Sequence, residues 1–267
     1  MKDLKLYWWT PKKYSKFTIL GRLNGEYYRY SNVPSNFGDE LSAFIVSKVL
    51  DTAVRQVPKN EIGKLLGIGS ILHQAKDNDV IWGSGINGKY LNKKIKAKNL
   101  TILSVRGPLT QKYLIECGYD VPAIYGDPAI LAPLYYQAKE FNEKSEFSYV
   151  PHFSELGDID EHLMEHVINP TLPYKQVIDK ICNSKLVLSS SLHGLILAET
   201  YGIPAVLIRS NPNEPIFKYE DYFRGTGRES ATFASTIAEG LKMAPTKPLK
   251  VDQEALLQTL KNWYKNI

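Results

Sequence analysis

The sequence predicts an α/β protein built on parallel strands, and three observations lead there. Short apolar runs such as Leu186-Val187-Leu188 and Leu65 to Gly69 have the pattern of strands covered on both faces. Such runs end in a polar or glycine-bearing turn, as at Gly67-Ile68-Gly69-Ser70, Trp82-Gly83-Ser84-Gly85, Arg106-Gly107-Pro108 and Ser189-Ser190-Ser191. Helical spacing follows several of these turns at once. Repeated strand, turn and helix units build a parallel sheet, which binds ligands at the carboxyl ends of its strands.

The chain of 267 residues is long enough for two units of about 130 each. The stretch Tyr135 to Ser145 (YYQAKEFNEKS) is charged and loses periodicity, which places the boundary between 1–140 and 141–267. With 43% hydrophobic and 23% charged residues, the composition excludes a mainly disordered chain. A net charge of +5 without a concentrated basic stripe suits anionic small molecules or an anionic membrane surface, and no nucleic-acid partner is expected. No apolar run approaches the roughly 20 residues needed to cross a bilayer, and the N-terminal MKDLKLYWW lacks a signal-peptide core. A cytoplasmic location is expected, with peripheral contact at the inner face of the membrane as the alternative. Cys117 and Cys182 have no CxxC partner and read as reduced packing residues. The 17 Tyr and four Trp are either sugar-stacking platforms or ordinary core and surface aromatics.

In chain order, Leu4 to Trp9 alternates as a strand, and Pro11 opens a turn-rich connection through Gly21, Asn24 and Gly25. The stretch Ser35-Asn36-Phe37-Gly38-Asp39-Glu40 precedes Leu41, Phe44, Ile45 and Val49 on one helical face, so it forms a helix N-terminus. There Asn36 can donate to a ligand oxygen, Gly38 lets the backbone come close, and Asp39 can accept a hydroxyl proton. The alternative is a plain cap and glycine turn. Residues 83–88, GSGING, spell GxGxxG at the end of the strand-to-glycine unit Val80 to Gly85, but no Asp or Glu occurs between Gly88 and Ile115 to bind a ribose. The P-loop sequence is absent as well, so neither nicotinamide binding nor nucleotide hydrolysis has support.

The strand Thr101 to Val105 ends at Arg106, whose planar fork fits a carboxylate or phosphate, or else a structural ion pair. After a strand Val121 to Tyr125, Asp127 reads as a residue that holds loops through backbone hydrogen bonds. The strand Phe147 to Val150 leads to His152, a proton donor, a phosphate ligand or a structural residue. His162 and His166 lie four apart without a specified acidic third ligand, and no metal is expected. A helix from Tyr174 to Cys182 precedes the Leu186 to Leu188 strand, whose turn holds Ser189, Ser190, Ser191 and His193 before a helix from Gly194 to Tyr201. Hydroxyl caps and unpaired amides at such a turn favour an anion, and an imidazole adds a proton donor or a charge. The same serines can simply cap the helix. After a strand Pro204 to Ile208, the segment Lys218 to Phe223 carries acids that face either an acceptor or solvent. Gln253 to Tyr264 sets Leu256, Leu257, Leu260 and Trp263 on one face, an amphipathic helix expected to dock onto the protein body rather than a membrane.

Taken together and in order, NFGDEL (36–41), GIGSIL (67–72), WGSGI (82–86), VRGPLT (105–110), GDPA (126–129), PHF (151–153) and SSSLHG (189–194) resemble the polysaccharide pyruvyl transferase family. The resemblance implies two Rossmann-like domains facing a central cleft, similar to a GT-B glycosyltransferase. It also implies transfer of the pyruvyl group of phosphoenolpyruvate onto a galactose-type sugar, free or lipid-linked, to form a ketal in surface polysaccharide biosynthesis. Phosphoenolpyruvate is then the co-substrate, with no metal or redox cofactor. On this reading His193, Asp39 and His152 are the catalytic candidates. Asn36, Gly38, Arg106, Ser190, Ser191, Leu192 and Gly194 are the donor-binding ones. Many relatives carry Arg where this chain has Ser191, and Arg209 is a candidate substitute for that charge. Two rivals stand beside this reading: a nucleotide-sugar glycosyltransferase of the same shape, and a noncatalytic binder of anionic glycans.

Overall fold

The computed structural model describes residues 4–10, 36–209, 211 and 213–267. The expected turn-rich connection from Pro11 to Gly25, and Ser35, lie outside the described residues. Among the described residues the protein is α/β with two parallel sheets. The first has the order β2-β1-β3-β4-β5, from β1 (Leu4–Tyr7), β2 (Val54–Gln56), β3 (Leu65–Leu66), β4 (Val80–Trp82) and β5 (Thr101–Ser104). The second has the order β6-β7-β8-β9, from β6 (Ser148–Val150), β7 (Val187–Ser189), β8 (Ala205–Ile208) and β9 (Phe233–Ala234). The chain passes from one sheet to the other between residues 104 and 148.

Alternation along the strands explains the layering, because successive side chains point to opposite faces. Leu6, Leu65, Val80 and Trp82 join one large apolar cluster, to which Val150, Val187, Ala205 and Leu207 of the second sheet also belong. Their strand neighbours Tyr7, Leu66 and Ile81 build a separate cluster on the far face of the first sheet. Tyr149, Leu188, Val206 and Ile208 do the same for the second. One continuous core therefore joins the two sheets, through α1 (Phe37–Leu50), α3 (Tyr174–Cys182), α4 (Leu192–Thr200) and the 3-10 segment Pro128–Leu134. α2 (Pro108–Glu116) follows β5, α5 (Phe217–Gly225) follows β8, and the short α6 (Ile237–Gly240) follows β9.

The final helix, α7 (Gln253–Lys265), buries Leu256, Leu257 and Leu260. It lies against the first sheet rather than the second. Trp82 donates its indole N–H to the Leu256 carbonyl at 2.8 Å, and the Tyr264 hydroxyl meets Thr52 Oγ1 at 3.2 Å. Two local expectations differ from what forms. The strand expected over Val121 to Tyr125 shrinks to a single bridge between Val105 and Tyr125, since Pro122 has no N–H to give a ladder. The edge strands β2 and β9 carry no recognisable alternation, and both form because a neighbouring strand offers its free edge. Among the described residues, no helix is long and apolar enough to cross a membrane.

Candidate functional site

The carboxyl ends of strands from both sheets open onto one cavity of about 670 Å³. That volume is ordinary for a small-ligand site. Asn36, Asp39, Ser70 and Lys89 contribute to it from the first half, and His152, Ser191, Leu192, His193, Glu214 and Lys218 from the second.

Its floor is made where α1 meets α4. Asn36 is the N-cap residue of α1, and its side chain donates from Nδ2 to Asp39 Oδ2 at 2.6 Å rather than capping the helix. Asp39 is only 7% exposed, and burial, opposed by the nearby His193 and reinforced by Asp127, pushes its carboxyl up to about 7. At neutral pH a large share of it is therefore protonated. At Gly38 the His193 side chain of α4 packs directly onto α1. A Cβ there would lie 2.6 Å from His193 Cγ and 2.9 Å from its Cβ, and nearer still to Nδ1. Only glycine leaves room for the imidazole against the helix.

The other edge of the imidazole points at Asp127. Nε2 lies 3.7 Å from Asp127 Oδ2, and both atoms are buried without a hydrogen-bond partner. Asp127 Oδ1 caps the Pro128–Leu134 segment through the Ala129 N–H at 3.0 Å. The loop-holding role expected from sequence thus occupies one oxygen only.

Around the Ser189-Ser190-Ser191 turn, most polar groups are taken internally. Ser191 is the N-cap of α4 and accepts from the Gly194 N–H at 3.3 Å. The amides of Ser190 and Ser191 both donate to the Val150 carbonyl. Ser190 Oγ is bonded to Tyr149, the His152 N–H and Glu155, so its side chain serves the fold. Gly194 packs α4 onto the sheet, since a Cβ would come within 2.6 Å of Ser189 Oγ and Val150 Cγ1. What remains for a ligand at this turn is the first-turn amides of Leu192 and His193, which helix geometry leaves without intrahelical acceptors.

His152 lines the cavity. Its Nδ1 accepts the Ser154 N–H at 3.3 Å and meets Ser154 Oγ at 2.7 Å, which assigns the ring proton to Nε2. Burial first, then the charge of Lys218, holds the ring down at about 4, so His152 is neutral.

Arg106 stands apart from the other candidates. It is fully buried: Nε donates to Asp221 Oδ2 at 3.1 Å, Nη1 to Ser70 Oγ at 2.6 Å and Nη2 to the Ile86 carbonyl at 3.2 Å. Asp221 also accepts from the amide and hydroxyl of Thr110. Arg106 thus ties β5 to α5, and reaches the cavity only through Ser70, which lines it. Asp221 and Glu220, the acids expected to face either an acceptor or solvent, face neither freely: Asp221 is buried, and Glu220 pairs with Arg224 and the Ala231 amide. Arg209 lies over the Phe233 ring at 5.4 Å and donates to the Glu214 carbonyl at 3.5 Å, outside the cavity lining.

Charges that the sequence did not single out sit where that substitute was sought. Lys218 on the first turn of α5 pairs with Glu214 at 2.9 Å, and Lys89, after β4, reaches the same carboxylate at 2.8 Å. No motif marks them: Glu214 and Lys218 lie four residues apart, and Lys89 joins them only through folding. His73, which carried no motif either, stacks on Tyr90 at 3.9 Å in the cavity wall. At the rim Trp9 meets Phe153 edge-on at 6.0 Å. His162 is exposed and His166 stacks on Phe147. Among the described residues, no group of three His, Cys, Asp or Glu is arranged to hold a metal ion.

The pattern of the polysaccharide pyruvyl transferase family matches residues 36–212. The chain is similar to the succinoglycan biosynthesis protein ExoV of Rhizobium meliloti, with 27% identity over 226 residues, covering 80% of this chain and 70% of that protein. It is also 28% identical over 222 residues to an uncharacterized protein of Acanthamoeba polyphaga mimivirus, covering 76% and 75% of the two chains. A crystal structure of a functionally uncharacterized Klebsiella pneumoniae protein aligns over 88% of this chain and 93% of its own, with 13% identity and a TM-score of 0.49.

Proposed function

Since the chain belongs to the polysaccharide pyruvyl transferase family, we propose that it transfers the pyruvyl group of phosphoenolpyruvate to a sugar in polysaccharide biosynthesis, forming a pyruvate ketal. The similarity to a succinoglycan biosynthesis protein supports the polysaccharide context. The observation that carries the chemistry is the juxtaposition of Asp39 and His193, from opposite halves, on the floor of one cavity.

The reaction needs a proton at the donor's methylene carbon, two sugar oxygens bonded to C2, and release of inorganic phosphate. Two hydroxyl protons are lost in all; one balances the new methyl group and the other leaves with phosphate. Asp39 suits the acid step. Burial keeps its carboxyl protonated up to about 7, and Asn36 holds the carboxyl in place. The sequence suggested a base at this position; burial reverses that preference in the resting state, and the carboxylate left after proton transfer can then take a hydroxyl proton. His193 and the amides of Leu192 and His193 at the start of α4 form a seat for the phosphate. Neutral His152 presents Nε2–H as a further donor. Arg106 acts from behind Ser70, holding the wall to which the donor binds. Trp9 and Phe153 at the rim give the acceptor sugar ring an apolar face to lie on. On this reading the cavity between the two parallel sheets serves as the donor and acceptor cleft.

The test is incubation with phosphoenolpyruvate and lipid-linked or nitrophenyl galactosides. Acceptor mass gain with stoichiometric phosphate release is the expected result. Donor consumption without an adduct would sink the assignment. Thermal shifts with UDP or GDP in place of phosphoenolpyruvate would favour a nucleotide-sugar glycosyltransferase.

A further inference from the structure

The Lys89, Glu214 and Lys218 cluster has no part in the roles assigned above. Lys218 is a buried ammonium, 7% exposed, on the first turn of α5. Lys89 comes from the other half of the molecule, in the 3-10 segment Gly88–Tyr90, and its side chain is 56% exposed. Both hold the one carboxylate of Glu214, at 2.9 Å and 2.8 Å, and all three residues line the cavity. Two cations on one anion leave a net charge of +1. Each ammonium has three N–H donors and spends one on Glu214.

From this arrangement we infer that Lys89 and Lys218 form a second anion seat in the cavity, one that takes the carboxylate of the donor. This rests on the transferase reading given above. The charge balance selects a carboxylate: one negative charge neutralises the cluster, whereas a phosphate dianion would overshoot it. The phosphate has its own seat at the α4 N-terminus and His193. Two seats in one cavity match a small ligand with an anionic group at each end. Other titratable groups agree with a positive potential here. Burial lowers the Lys218 ammonium from its ordinary range, and Arg106 and Lys89 press it the same way, against Glu214. The two lysines draw Glu214 down to about 2 against its own burial. His152 is held neutral by burial and then by Lys218, with Lys89 and His193 adding to it and Glu214 opposing. The part of that lowering that Lys218 and Lys89 supply reflects a positive potential, from which an added anion gains. Glu214 keeps the two lysines oriented while the cavity is empty of donor, which lowers the cost of assembling the seat.

The experiment is calorimetric titration of the full-length chain, wild type and the Lys89→Gln and Lys218→Gln variants, with three probes: pyruvate, inorganic phosphate and phosphoenolpyruvate. Expected is roughly tenfold weaker binding of pyruvate and of phosphoenolpyruvate in Lys89→Gln, about 1.4 kcal/mol by the tenfold rule, with inorganic phosphate unchanged. Lys218→Gln is expected to do the same more strongly. Lys89 is exposed enough that its loss leaves the fold intact, so an unfolded Lys218 variant does not remove the test. Unchanged pyruvate affinity in Lys89→Gln overturns the seat, and so does an equal loss of phosphate affinity. If the wild type binds pyruvate through these lysines yet makes no ketal, the transferase reading fails and the seat stands. If ketal formation proceeds and the variants match wild type, the seat alone fails.

Discussion

Substituting Asp39 by Asn should cost the protein its activity and make it more stable at alkaline pH. The sign follows from the buried carboxyl, which ionises at about 7 in the folded protein against an ordinary 3.8. The folded state then holds a proton that the unfolded chain has already released, so stability falls as pH rises between those two values. Three pH units at about 1.4 kcal/mol each put the full penalty near 4 kcal/mol above pH 7. Between pH 5.5 and pH 8 the Asp39 contribution changes by about 2 kcal/mol in the same calculation. Asn has almost the same shape, can accept the Asn36 N–H, and carries no proton to lose. Urea unfolding of both proteins at pH 5.5 and pH 8 measures the double difference, in which titrating groups that do not interact with Asp39 cancel. The variant is expected to gain about 2 kcal/mol on wild type across that interval. A double difference near zero would mean that Asp39 ionises normally, and the acid role would fall with it. Turnover of the wild type should decline as pH rises through about 7, since the acid is then lost.

Gly38→Ala places a methyl group within 2.6 Å of the His193 ring; displacing the imidazole should lower turnover about 100-fold, measured by phosphate release, and wild-type turnover would contradict the packing argument. Asp127→Asn removes a charge that raises the Asp39 carboxyl and faces His193 Nε2. The falling limb of its pH–rate profile should therefore move to lower pH, and an unmoved limb would leave Asp127 a loop cap only. Arg106→Met breaks a fully buried ion pair with Asp221, so unfolding should come about 3 to 5 kcal/mol earlier; an unchanged urea midpoint with a raised KM for phosphoenolpyruvate would make Arg106 a donor ligand instead.

The alternating strands, the polar turns at their ends and the helices behind them were legible because period 2 and period 3.6 are local properties of the chain. Leu6 and Tyr7 facing opposite clusters, or Ser191 capping α4, needs no distant partner to be foreseen. The grouping of Asn36 and Asp39 as candidates at one helix N-terminus was equally local, although their bond to each other was not foreseen. Strands β2 and β9 were not legible, because three and two residues carry no period and exist only as additions to an edge.

What the sequence determined by itself is the class of fold, the strand-end turns and the residue types that could do chemistry there. Tertiary structure decided their states. The distance from His193 to Asp127, residues 66 positions apart in number, exists only after α4 packs beside the Pro128–Leu134 segment. Burial, a property of the whole molecule, pushed the Asp39 carboxyl up to about 7, where its protonated and ionised forms coexist at neutral pH. Of the two readings open for Arg106, an anion ligand or a structural ion pair, the fold forms the ion pair, with Asp221 on α5. Lys89 and Lys218 became one site because Lys89, 125 positions away, reaches the Glu214 that Lys218 holds from four residues on. Charge, proton occupancy and reach all depend on what surrounds a side chain, and those surroundings come from every part of the chain at once.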